Sequence, residues 1–91
     1  MMKLPSQPRY RKGDRIFWVM VKEEILLRNY STNVAIQLAP QQRRVWELLD
    51  GAHTQQEIVK KLLADGGFDL GTSEIVDLIA TLKFNGFLVQ A

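Results

Sequence analysis

The sequence predicts an α+β fold in which a three-stranded antiparallel sheet is followed by three helices, a winged-helix-like order of parts. Three observations carry this expectation. Residues 16–38 hold three short runs rich in β-branched and other apolar residues, separated by polar turns. At Pro40 the apolar spacing changes from strand-like to helical. Beyond it, proline, glycine and capping residues divide three amphipathic stretches. A chain of 91 residues has room for one such domain and no second, cofactor-binding one.

Met1–Arg11 carries Pro5 and Pro8 and no apolar period, and reads as a mobile lead-in. Lys12-Gly13-Asp14 is a turn signal. Ile16–Val21 is an uninterrupted apolar run, which predicts a strand buried on both faces. Ile25–Tyr30 follows as a second strand. Ser31-Thr32-Asn33 is a turn. In the third strand Val34, Ile36 and Leu38 share one face, and Ala35 and Gln37 the other. Short connections predict a meander.

Pro40 suits the first turn of a helix, where its missing N–H costs nothing. Val45, Leu48 and Leu49 form its apolar face with Trp46 beside them, and Asp50-Gly51 ends it. Thr54 and Glu57 have capping-box spacing for a second helix, which buries Ile58 and Leu62. Gly66-Gly67 stops that helix. Thr72 or Ser73 caps the third, which Asn85-Gly86 terminates. Phe87-Leu88-Val89 then folds back on the core. His53 falls in the turn between the first two helices.

The third helix has more apolar surface than one core contact needs. At about 100° per residue, Ile75, Ile79 and Leu82 form a narrow stripe. Val76, Leu78 and Phe84 fall well outside it. Two explanations stand side by side: a helix covered on two sides, or an exposed strip that receives a partner.

Composition narrows the function. The chain is 46% hydrophobic and 24% charged, as expected of a folded domain. It has no cysteine, which excludes disulfides and thiolate metal sites. No apolar run approaches the roughly 18 residues of a membrane span. No apolar segment follows Lys3, so a cytoplasmic protein is expected. Residues 1–15 hold Lys3, Arg9, Arg11, Lys12 and Arg15 against Asp14 alone. That basic arm could touch nucleic acid or an acidic peptide, or serve solubility only.

Catalytic patterns are missing. His53 is the single histidine, with no nucleophile or second ligand at a useful spacing. The carboxylates Asp50, Glu57, Asp65, Asp69, Glu74 and Asp77 mark helix ends and polar faces. No phosphate loop follows a strand. The sequence therefore predicts no enzyme activity and no cofactor. A winged-helix DNA binder is the rival from another class. Its reading helix would carry Glu74 and Asp77, which phosphates repel, and no strands follow that helix to make a wing.

The segment Ile25–Leu88 resembles the PqqD-like family, also called RiPP recognition elements. The resemblance rests on the hairpin Ile25–Tyr30 to Val34–Leu38, and on Val45-Trp46-Glu47-Leu48-Leu49-Asp50-Gly51 with Thr54, Glu57 and Ile58. It rests also on Ile75–Leu82 closing in Gly86-Phe87-Leu88. The chain departs from members that serve pyrroloquinoline quinone synthesis. It has Ala39-Pro40 where they have an asparagine before the first helix, and lacks their Glu-Arg before the third strand. It is more similar to the stand-alone leader-binding subunit of split lasso-peptide systems.

The resemblance implies a domain at 16–91 that is not an enzyme. It would bind the leader of a ribosomally made precursor peptide, with a leader peptidase, and a macrocyclase beyond it, as further partners. A chaperone for a radical-enzyme pathway, of quinone or mycofactocin type, is the alternative within the family. The resemblance also implies that the leader adds as a strand beside the third strand and packs on the last helix. The expected contacts are therefore Val34, Ala35, Ile36, Gln37 and Leu38 with Val76, Leu78 and Phe84.

Overall fold

The structure, a computed structural model, describes residues 8–91. Its elements are β1 (Arg9–Lys12), β2 (Ile16–Val21), β3 (Glu24–Asn29), β4 (Val34–Leu38) and α1 (Pro40–Glu47). Then come β5 (Asp50–Thr54), α2 (Gln55–Leu63), α3 (Thr72–Phe84) and β6 (Leu88–Gln90). The expected meander is present as the antiparallel sheet β2-β3-β4, and the three helices follow it.

A second antiparallel sheet, β5-β1-β6, was not legible. It corrects two expectations and adds detail to a third. Arg9–Lys12 is the central strand of that sheet and not a mobile arm; residues 1–7 of the expected arm lie outside the described residues. Asp50–Thr54 is a strand, so His53 lies in β5 and not in a turn, with Nδ1 at 3.0 Å from Asp50 Oδ1. Phe87–Val89 does fold back, and it does so as the start of β6, held by Gly13 N–H donating to Phe87 O at 3.1 Å. Each of these strands is short, and each is completed by residues distant in sequence.

The helices obey their punctuation with two changes. The first is that α1 stops at Glu47 with Leu48 as its C-cap, ahead of Asp50-Gly51, which belongs to β5. Thr54 Oγ1 accepts from Glu57 N–H, and Glu57 Oε1 accepts from Thr54 N–H, a complete capping box. Pro40 stands in the first turn of α1. For α3 the N-cap is Gly71, not Thr72 or Ser73, and Glu74 Oε1 accepts from its N–H.

Ile25, Leu27, Leu38, Val45, Trp46, Leu49, Ile58, Leu62, Ile75, Ile79, Leu82 and Phe87 build the core. It sits between the helices and one face of β3 and β4, on which α1 packs. β2 lies beyond that cover. Its residues are therefore exposed, against the expectation of burial on both faces; Phe17 retains 58% of its surface and Val21 51%. Ile16 is half-buried against the core, and Trp18 sets its ring edge-on to Trp46 at 5.6 Å.

Candidate functional site

The hydrogen-bond parity of the meander decides what its edges offer. Tyr30 N–H donates to Arg15 O at 3.1 Å, just beyond the paired β2 and β3. Partners alternate along an antiparallel ladder, so Phe17, Val19 and Val21 point their backbone groups at β3. In β3 the even residues face β2, which leaves Ile25, Leu27 and Asn29 to bond β4. Their register partners there are Leu38, Ile36 and Val34. Ala35 and Gln37 accordingly direct their N–H and C=O groups to the open side of β4, which pairs with no other strand among the described residues.

The side chains divide the same way. Leu38 is buried in the core, while Val34 and Ile36 are half-buried against it. Ala35 and Gln37 lie on the exposed outer face, where Gln37 donates to Glu24. The open edge thus offers two residues' main-chain groups beside a partly apolar inner border.

One polar side chain ties this edge to α3. Asn29, 3% exposed, donates from Nδ2 to Asn85 O at 3.0 Å. Its Oδ1 accepts from Ser31 N–H and Thr32 N–H in the β3–β4 turn. Sequence reasoning passed over Asn29, although a signal existed. Ile25, Leu27 and Asn29 share one face of a strand, and an asparagine on a buried face needs partners.

The helix residues expected at the site differ in exposure. Val76 and Leu78 are half-buried, and Leu78 packs against the core. Phe84 is 91% exposed. Near the end of the helix, Asn85 O accepts from Asn29 at the hairpin, and Lys83 Nζ donates to Tyr10 OH at 3.3 Å.

The chain is similar in structure to TbiB1 in complex with the TbiA(beta) leader peptide. The TM-score is 0.69 at 21% sequence identity, covering 86% of this chain and 93% of that one. It is also similar to the heterocyclase TruD, with a TM-score of 0.68 at 16% identity over 92% of this chain. There the match spans 12% of the other chain, a small part of a large enzyme. No family model and no curated protein matches the sequence. The chain thus shares the fold of TbiB1 and of a small part of TruD, a meander followed by three helices.

Proposed function

We propose that this protein is a non-enzymatic adaptor that binds the leader segment of a ribosomally synthesised precursor peptide. The leader adds as a strand to the open edge of β4, and the adaptor delivers it to a maturation enzyme, the leader peptidase of a lasso-peptide system. The observation that carries this reading is the unpaired edge of β4, with the free main-chain groups of Ala35 and Gln37 fixed beside α3 by Asn29. An extended peptide gains affinity from such main-chain bonds and specificity from adjoining side chains. That a protein of the same fold has been solved with a leader peptide bound supports the choice of ligand.

Proline scanning along β4 tests the reading, because proline removes one N–H. Ala35→Pro and Gln37→Pro remove outward donors and should leave the domain folded while abolishing leader binding. Val34→Pro and Ile36→Pro break the ladder to β3 and should unfold it. Circular dichroism reads folding, and fluorescence anisotropy of a labelled leader peptide that the parent chain is first shown to bind reads binding. Full affinity in both outward variants would rule out strand addition at this edge.

A further inference from the structure

We propose that β2 is a second docking edge and that its occupant is another copy of this chain, paired antiparallel about Trp18. By the parity derived above, Ile16, Trp18 and Met20 turn their backbone groups outward, with no strand beside them among the described residues. Edge strands are ordinarily blunted by charge, proline or a bulge. Ile16–Val21 has no charge and no proline, and it pairs with β3 residue for residue without a bulge. Both of its faces are apolar, the outer one open and the inner one partly covered at Ile16 and Trp18. Phe17 and Val19 lie on the outer one, and Met20, 49% exposed, on the inner one. A strand laid along this edge covers both faces at once.

The charges that bracket β2 say which strand fits. Asp14 and Arg15 precede it, and Lys22 and Glu23 follow it. In an antiparallel pair centred on Trp18, Ile16 faces Met20 of the other copy, and all the outward-directed residues meet as hydrogen-bonded pairs. Just beyond the strand ends, the same register brings Asp14 of each copy, which meets Arg11 of its own chain at 3.4 Å, opposite Lys22 of the other. Centring on Val19 opposes Arg15 to Glu23 but also Asp14 to Glu24, a like-charge pair. Centring on Phe17 opposes Lys12 to Lys22, again of like charge. The edge is thus self-complementary in charge as well as in hydrogen bonding, whereas it offers an unrelated charged peptide nothing to select.

Such a dimer joins two meanders into one six-stranded sheet with the order β4-β3-β2-β2-β3-β4. Both β4 edges stay free at its ends. Where the leader reading above holds, the dimer carries two leaders.

Sedimentation equilibrium of the full chain over a concentration series tests the proposal. A reversible dimer is expected. Asp14→Lys and Lys22→Asp should each raise its dissociation constant about tenfold, and the double exchange should restore it. Lys22 has φ +61°, a conformation aspartate tolerates. Trp18→Lys sets two cations face to face at the symmetry axis and should give monomer. A chain that is monomeric at every concentration, or a double exchange that restores nothing, overturns the proposal. Titrating the labelled leader into Asp14→Lys protein, at a concentration below its own dimer dissociation constant, keeps the two readings apart. Loss of leader binding there counts against strand addition at β4 and leaves the β2 result standing.

Discussion

Asn29 and Asn85 stand 56 residues apart and are joined by a single side-chain hydrogen bond at the end of the β3–β4 hairpin. The bond holds the C-terminal end of α3 against the strand edge that is left open. Gly86 lets the chain pass there. Its φ is +77°, and a Cβ at that position would lie 2.8 Å from Asn29 Nδ2. Asn29→Ala strands the Asn85 carbonyl and two turn N–H groups, and is expected to cost about 1–3 kcal/mol. Gly86→Ala should destabilise through both strain and the clash. Urea unfolding checks both, and a midpoint unchanged in Asn29→Ala would remove the latch from this account.

Exposure along α3 predicts unequal effects on binding. Leu78 is half-buried against the core, whereas Phe84 is 91% exposed. Leu78→Glu should weaken leader binding by about 1–3 kcal/mol by placing a charge where an apolar border is needed. Phe84→Glu should change leader affinity little and stability not at all, since its side chain is already in solvent. Equal losses in the two variants would mean that the peptide wraps the helix and does not run along one flank.

The meander and the helices were legible because each is written locally. Val34, Ile36 and Leu38 alternate, Thr54 and Glu57 form a capping box, and Gly86 takes a positive φ at the end of α3. The second sheet was not. Arg9–Lys12 has one buried residue, Tyr10, and looks like any basic segment until β5 and β6 flank it. β2 misled in the opposite direction. An apolar run signals burial only where something covers it, and α1 packs on β3 and β4 and reaches β2 only through Trp46 and Arg43. The site was half legible: an edge strand was expected, but its parity depended on one bond, Tyr30 to Arg15, that no sequence pattern shows.

The capping boxes and turns predict a direction for stability with pH. Glu57 is held below the usual carboxylate range, chiefly by the Thr54 N–H it accepts and then by the Thr54 side chain. Asp65 is lowered by Gly67 N–H and then by Arg44. Asp50 is lowered by Ala52 N–H and then by His53. A carboxylate with a depressed folded pKa binds fewer protons folded than unfolded. Its contribution is therefore present above the unfolded pKa and lost as pH falls through the folded one. Urea midpoints should accordingly decline as pH drops below the ordinary carboxylate range. Glu57→Gln should flatten that decline, and a profile of the same slope in this variant would mean that the cap does not titrate.

Lys12 is the residue whose role changes most between sequence and structure. It was expected to belong to a solvated basic arm. It instead ends β1 with its ammonium 5.0 Å from the centre of the Trp46 ring. Burial lowers its pKa, and Asp50 and then Glu47 oppose that shift. A lysine with a depressed folded pKa binds fewer protons folded than unfolded, so stability attached to it rises as pH climbs through the folded value. The cation's attraction to the ring is thus partly offset by desolvation, so the prediction is that the aliphatic stem carries most of what Lys12 contributes. Lys12→Met keeps the stem and should hold the urea midpoint near that of the parent chain. Lys12→Ala uncovers Trp46 and should cost about 1 kcal/mol. If Met and Ala lower stability alike, the charge carries the contact, and the rise with pH should then be absent as well.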